Sequence, residues 1–204
     1  MIITAGKFKG RKIVAPDEKI TRPTLSKVRM SVFNTLQSMV EFDGASFLDM
    51  FAGSGIMGLE ALSRGFLKVV AIEKNPKSAK VIRENYNMCH CEGAKRPSQS
   101  YYNEITTSLT AFTPRNDNIF SILLGDSLKI VPKLDENFDV IYIDPPYFSG
   151  IYEKSLEAVK DITSNIVILE HVTDVDFGDF EILKQKKYGD KFITFLHLFR
   201  STDG

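Results

Sequence analysis

The chain has 204 residues, of which 43% are hydrophobic and 25% are charged, as is typical of one soluble globular domain. No apolar run is long enough to span a membrane, and the first residues lack the layout of a signal peptide. These features argue against a membrane protein and a secreted protein. We expect a single domain over residues 1–204 that is cytoplasmic and monomeric.

The formal net charge is zero, but the charges are distributed unevenly. Residues 1–30 carry eight Lys and Arg residues against two acidic residues, so the start of the chain is basic and the remainder is acidic. A localised basic segment on a neutral protein indicates that a polyanion is contacted through one end of the molecule. The alternative is a charged face that is only solvated.

The first forty residues predict a hairpin and a helix. Residues 1–14 alternate loosely between apolar and basic positions, which predicts a β-hairpin with a basic exposed face. Arg22-Pro-Thr24 is typical of a helix entry, and apolar residues then recur at helical spacing to about Glu41. Lys27 and Arg29 fall off this apolar stripe, so we expect them to face a partner.

The segment from Asp49 to Gly58 is the first functional motif. Residues 45–48 predict a buried strand that ends at Asp49, and the helix that follows is closed by Gly65. Between strand and helix lie three glycines, Gly53, Gly55 and Gly58. A turn of this kind exposes backbone amides at a helix N-terminus, where a ligand can approach closely because no Cβ intervenes.

The same glycines fit the dinucleotide-binding fingerprint. Glu73 follows them by about 20 residues, at the end of a strand predicted over residues 68–73. An acidic residue there suits the ribose hydroxyls of NAD or of any other adenosine cofactor. The motif by itself therefore predicts a nucleoside cofactor and leaves its identity open.

The rest of the chain predicts a mainly parallel sheet. Asn75 and Pro76 begin a helix that runs to about Met88, and buried strands are predicted over residues 119–124, 138–143 and 165–170. Two β segments flank Tyr188-Gly-Asp190, and a hairpin turn there requires one reversed strand. Residues 90–118 are polar and rich in turn formers, so we interpret them as an insertion.

Cys89 and Cys91 flank His90, but two thiols and one imidazole do not complete a zinc site. We therefore expect reduced, structurally incidental thiols and no metal.

The second functional motif is Asp144-Pro-Pro-Tyr147, directly after the predicted fourth strand. Two prolines remove two backbone donors and hold the loop in a rigid shape, so its carbonyls are bare acceptors. The Asp144 carboxylate adds an acceptor and Tyr147 adds a planar face. Such a set suits a planar group with an NH₂, such as a nucleobase, which would be held by hydrogen bonds and stacking. The alternative is an ordinary turn after a strand.

The ordered motifs resemble those of S-adenosylmethionine-dependent methyltransferases that act on exocyclic amines. The resemblance is carried by Asp49-x-Phe-Ala-Gly-Ser-Gly55, Glu73, Asp126 and Asp144-Pro-Pro-Tyr147. A nicotinamide enzyme would explain the glycines and Glu73, but not the Asp-Pro-Pro-Tyr loop.

A closer similarity covers nearly the whole chain. Residues 2–12, Arg22-Pro-Thr24, Phe51–Gly55 and Gly58–Arg64 are similar to bacterial 16S ribosomal RNA guanine-N2 methyltransferases of the RsmD type. Residues 90–118 depart from the family, which usually has a short connection there.

This resemblance implies a Rossmann-like class I methyltransferase fold, an α/β fold with a seven-stranded, mostly parallel sheet, one reversed strand and helices on both faces. It implies S-adenosyl-L-methionine as the cofactor. The implied cofactor contacts are Asp49, Phe51, Ala52, Gly53, Ser54, Gly55, Glu73, Lys74, Asp126 and Ser127. The implied catalytic loop holds the target guanine with its 2-amino group toward the methyl group, and consists of Asp144, Pro145, Pro146 and Tyr147.

The implied partner is 16S rRNA, in the small ribosomal subunit or an assembly intermediate. The basic residues expected to contact its phosphates are Lys7, Lys9, Arg11, Lys12, Arg22, Lys27 and Arg29. Two alternatives stay open: a DNA methyltransferase acting on adenine N6 or cytosine N4, and a non-catalytic RNA-binding assembly factor.

Overall fold

The computed structural model describes residues 1–16, 26–90, 119–146 and 150–199. Arg22, Tyr147 and most of the interpreted insertion lie outside the described residues. None of the described helices is long and apolar enough to cross a membrane.

Within the described residues, helices and strands alternate along most of the chain. The helices are α1 (Ser26–Leu36), α2 (Ile56–Arg64), α3 (Pro76–His90), the short α4 (Ser127–Ile130) and α5 (Ile151–Val159). The 3₁₀ turns Val131–Lys133 and Lys160–Ile162 extend α4 and α5. The strands are β1 (Ser46–Asp49), β2 (Lys68–Glu73), β3 (Ile119–Leu124), β4 (Phe138–Ile143), β5 (Thr163–His171), β6 (Phe180–Tyr188) and β7 (Lys191–Leu198).

The described strands form one seven-stranded sheet in the order β3-β2-β1-β4-β5-β7-β6. The pairs among β1 to β5 are parallel, whereas β7 is antiparallel to both β5 and β6. The predicted fold, with its reversed strand, is therefore confirmed. Strand order reverses between β1 and β4, and ligands of open α/β sheets bind at the carboxyl ends of strands beside such a point.

Two apolar cores cover the two faces of the sheet. One core packs the N-terminal segment and α1 to α3 against the sheet, and includes Phe33, Leu59 and Tyr86. The other packs α4 and α5 against the opposite face and includes Val131 and Leu156. Because both faces are covered, the central strands are almost continuously apolar, as expected for parallel strands.

Local signals explain several element ends. Asn75 accepts hydrogen bonds from the backbone amides of Lys77 and Ser78, at 2.9 and 3.4 Å, which caps the start of α3. Gly65 ends α2 with φ of 116° while its amide bonds to the last carbonyls of the helix. Both ends agree with the sequence prediction.

The N-terminal hairpin is smaller than predicted. Its antiparallel pairing consists of one bridge, between Ile2 and Lys12, and a few backbone hydrogen bonds, such as that from the amide of Ile3 to the carbonyl of Arg11 at 3.0 Å. Residues 5–10 form turns instead of strands. Extended strands do not form because this segment turns inward to pack on α2 and α3.

Candidate active site

The predicted cofactor residues gather at the carboxyl edge of β1, β2 and β3. Asp49 ends β1, Glu73 ends β2, and Asp126 follows β3, where its carboxylate caps α4 by accepting from the amide of Leu128 at 3.2 Å. Lys74 is exposed and its Nζ lies 3.7 Å from Oδ2 of Asp126. Ser127 is buried in the first turn of α4.

Glu73 organises the glycine turn. Its Oε2 accepts from the amide of Gly53 at 2.7 Å, and its Oε1 accepts from the amide of Asn75 at 2.7 Å. One carboxylate thus joins the glycine turn before α2 to the turn before α3. Any ribose hydroxyl held by Glu73 would be placed by both turns.

The glycines have two different roles. Gly53 and Gly55 have φ of 54° and 74°, in the left-handed region that favours glycine. A Cβ on Gly55 would lie 2.7 Å from the side chain of Ile82, and one on Gly58 would lie 3.0 Å from Val69. Gly55 and Gly58 therefore permit close packing of α2 against α3 and β2.

Phe51, Ala52 and Ser54 complete the turn. Ala52 is buried, and its amide donates to the carbonyl of Ile72 at 2.9 Å. The hydroxyl of Ser54 contacts the sulfur of Met1 at 3.8 Å, so this side chain is engaged inside the protein. Phe51 is half-buried and packs against the α4–α5 core.

Asp49 is a strongly perturbed group of the site. It is 1% exposed, and its Oδ2 has no hydrogen-bond partner among the described residues. Burial raises the pKa of Asp49 to about 8, the carboxylates of Asp144 and Glu73 add to the rise, and backbone amides oppose it. An unpartnered buried carboxyl oxygen fits the ammonium of the cofactor's amino-acid part, which would supply the missing hydrogen bond.

The predicted catalytic loop begins at the end of β4. The register pairs Asp49 with Tyr142, so Asp144 lies just beyond the strand end, next to the glycine turn. Its side chain is 21% exposed, Pro145 is buried and Pro146 is exposed. The loop therefore presents a carboxylate beside the predicted cofactor residues.

Three residues that sequence reasoning missed surround Asp144. The Nζ of Lys191 lies 3.8 Å from Oδ1 of Asp144 and 2.7 Å from Oε2 of the buried Glu170. The hydroxyl of Tyr142 donates to Oε1 of Glu170. Glu170 ends a predicted strand, as Asp49 and Glu73 do, so its position in the sequence could have indicated a residue of the site. Nothing in the local sequence marks Lys191.

The basic residues do not form one surface. Lys7, Lys9, Lys12 and Lys27 are exposed. The prediction for Arg29 is wrong: this residue is 1% exposed, donates to the carbonyl of Ile2 at 2.7 Å and lies 4.0 Å from the buried Glu60. Its position off the apolar stripe reflects a buried ion pair, so it cannot reach phosphates.

The Arg11 side chain is largely engaged in hydrogen bonds within the protein. Its guanidinium donates to the carbonyls of Met88, at 2.9 Å, and Cys89 at the end of α3. A cation at that position stabilises a helix C-terminus. Cys89 is buried, and burial raises the pKa of its thiol to about 11, so this thiol is unreactive at neutral pH.

The sheet order, the glycine turn and the buried acidic residue at its edge define the class of S-adenosylmethionine-dependent methyltransferases, and the cofactor predicted from the sequence is the one that this class uses. A family model described as conserved hypothetical protein 95 matches residues 1–122 and 102–197. The chain belongs to this family, which is the RsmD family.

Comparisons with individual proteins agree with this family membership. The chain is 28% identical to the Bacillus subtilis protein YlbH, over 93% of this chain and 94% of that protein. It is also 28% identical to ribosomal RNA small subunit methyltransferase D of Escherichia coli, over 78% of this chain and 66% of that protein. The solved structure of Escherichia coli yhhF superposes with a TM-score of 0.72 at 19% identity, covering 97% of each chain, and supports the fold.

Proposed function

We propose that this protein methylates the exocyclic 2-amino group of a guanine in 16S rRNA, within the small ribosomal subunit or an assembly intermediate. The observation that carries the proposal is the convergence of Asp49 and Asp144, from adjacent strands, at the edge where the glycine turn lies. A relative of this chain is named ribosomal RNA small subunit methyltransferase D, which supports an rRNA substrate.

The reaction depends more on the orientation of the guanine amine than on a strong base. When bound, S-adenosylmethionine supplies an electrophilic methyl group on a sulfonium. A guanine amine is a weak nucleophile because its lone pair is shared with the ring. Acceptors for its protons, the Asp144 carboxylate and the Pro145 carbonyl, would favour the tetrahedral nitrogen and aim its lone pair. A nitrogen–carbon bond forms, the sulfur–carbon bond breaks, and the methylated amine then loses a proton.

The cofactor would be held by the residues that the structure gathers at β1, β2 and β3. Asp49 would bind the ammonium, and Glu73 the ribose hydroxyls. Asp126 and Ser127 follow the next strand and would lie beside the adenine. Tyr147, which would stack on the target base, belongs to the same loop as Asp144 in sequence and stays a prediction.

The RNA contacts are proposed for the exposed lysines, namely Lys7, Lys9, Lys12 and Lys27. The turn that carries Lys7 and Lys9 packs at the end of α2 farthest from the glycine turn, at about 13 Å along a nine-residue helix. These lysines would therefore bind rRNA away from the target guanine, whereas Lys27 lies in the first turn of α1.

The test is methyl transfer from labelled S-adenosylmethionine to small subunits from cells that lack this protein, with free 16S RNA and duplex DNA alongside. We expect label as N2-methylguanine in subunit RNA. Label in DNA alone would favour the DNA methyltransferase alternative. No label on any substrate, with cofactor still bound, would contradict the proposal.

Asp144→Ala tests the assigned role. We expect turnover to fall at least about 100-fold while cofactor affinity stays within about threefold, because Asp144 contacts the amine and not the cofactor. Asp135→Ala, an exposed acidic residue before β4, is the matched control. Near-normal turnover of Asp144→Ala would refute the assignment.

A further inference from the structure

We propose that Lys191 is a positioning residue for methyl transfer, whose ammonium holds the Asp144 carboxylate ionised and oriented toward the target amine. This inference rests on the proposed function, because it assumes that Asp144 accepts a hydrogen bond from that amine.

The position of Lys191 is set by a buried carboxylate. Glu170 is fully buried at the end of β5, where its Oε2 lies 2.7 Å from Nζ of Lys191 and its Oε1 accepts from the hydroxyl of Tyr142. Burial and the neighbouring Glu170 raise the pKa of Tyr142, so its hydroxyl stays protonated and donates. With both Glu170 oxygens engaged, the ammonium is held 3.8 Å from Oδ1 of Asp144.

The edge of the sheet that carries the site is crowded with acidic groups. Asp49 on β1, Glu73 on β2 and Glu170 on β5 lie at the same edge of the sheet as Asp144. Burial raises the pKa of Asp49, and the charges of Asp144 and Glu73 add to the rise. Like charges repel one another, and a nearby cation offsets that repulsion.

Among the described cations, Lys191 is placed to supply that charge. Its side chain is 26% exposed, so its attraction to Asp144 is only partly screened by water. Lys74, also at this edge, is 79% exposed and its Nζ lies 3.7 Å from Asp126. Lys191 is thus a described ammonium that lies close to Asp144.

Lys191 would affect the reaction through the direction of the hydrogen bond between Asp144 and the target amine. An ionised Asp144 only accepts, which suits an amine proton, whereas a protonated carboxyl group would also donate and would oppose the amine. By attracting Oδ1, Lys191 would direct the opposite oxygen to the amine. It touches neither substrate nor cofactor in this scheme, so it affects the rate through Asp144 alone.

The experiment must separate this role from stability, since removing Lys191 leaves Glu170 buried without its cation. We therefore compare Glu170→Gln with the double variant Glu170→Gln/Lys191→Met, in which the buried charge is already gone and the amide oxygen still accepts from Tyr142. Glu170→Gln/Lys191→Arg is the rescue variant. Lys133→Met, an exposed lysine before β4, is the control for loss of charge.

We expect the Met variant to lower kcat at least about tenfold relative to its Glu170→Gln parent, with cofactor affinity within about twofold. The acid limb of its rate profile should move to higher pH, and Arg should restore most of the rate. An unchanged kcat and pH profile, a loss confined to KM, or equal inactivity of the Met and Arg variants would overturn the inference. Each of these results would leave the proposed function standing if Asp144→Ala is inactive.

Discussion

Asp49 carries a large electrostatic penalty at the site. Its carboxyl is buried, and its pKa of about 8 lies above the ordinary value of 3.8, so the folded protein binds a proton that the unfolded chain releases. Stability should therefore fall as pH rises from about 4 through about 8. Cofactor binding would relieve the penalty by giving Oδ2 a cationic partner.

Asp49→Asn tests this electrostatic penalty and its relief by the cofactor. At pH 9 we expect the cofactor-free variant to be more stable than the parent by on the order of 2 kcal/mol, because an unpartnered buried charge is removed. At pH 5 the two should differ little. Urea unfolding at both pH values measures the difference, and titration calorimetry should show at least about tenfold weaker cofactor binding. Greater stability of the parent at pH 9 would contradict the account.

At the scale of elements, the N-terminal segment is docked on α2. Glu60, fully buried, accepts from the amides of Thr4 and Ala5 at 2.9 and 3.1 Å, and the amide of Phe8 donates to the hydroxyl of Ser63 at 2.9 Å. α2 also starts at the glycine turn. α2 therefore adjoins the glycine turn at its start and packs against the basic N-terminal segment toward its other end.

Gly6 makes this docking possible. Its φ is 78°, and an added Cβ would lie 1.7 Å from the carbonyl oxygen of Ser63, whereas Gly10 has φ of 83° with open space around it. Because both positions share the strain of positive φ, Gly10→Ala is a matched control for Gly6→Ala. We expect Gly6→Ala to lower the free energy of unfolding by at least about 2 kcal/mol more than Gly10→Ala in urea titrations. Equal losses would show that this contact is unimportant.

At the scale of the whole molecule, charge is segregated on a neutral protein, and Lys7, Lys9 and Lys12 lie in residues 1–16, which pack on the α1–α3 face. Exposed lysines there would bind phosphates by releasing counterions, which makes affinity depend steeply on salt. The cofactor residues lie at the carboxyl edge, so RNA affinity and cofactor affinity should be separable.

Replacing Lys7, Lys9 and Lys12 with Ala tests that separation. We expect weaker binding to 16S rRNA, with the slope of log affinity against log salt smaller by about 2, and unchanged cofactor affinity. The control removes three exposed lysines from the α4–α5 side, Lys129, Lys133 and Lys154. Equal effects of both triple variants would show that only net charge matters. Arg11 is left intact because it caps α3.

Much of the fold could be predicted from the sequence because its signals are local. The strands over residues 68–73, 119–124 and 138–143 have the predicted bounds, since each is an apolar run bounded by turn formers. The hairpin at Gly189 predicts the reversed strand through turn geometry alone. Asp49, Glu73 and Asp144 could be placed together because parallel strands bring their carboxyl ends to one edge.

Other features depend on residues distant in the chain, and only the tertiary structure decided them. Arg29 and Lys27 are alike in the sequence, yet Arg29 is buried beside Glu60 and Lys27 is exposed. Lys191 reaches Asp144 because β7 inserts between β5 and β6. Residues that are neighbours in sequence determine the turns, the apolar runs and the order of the motifs. The solvation and the partner of a charged side chain depend instead on the residues that pack against it in the fold.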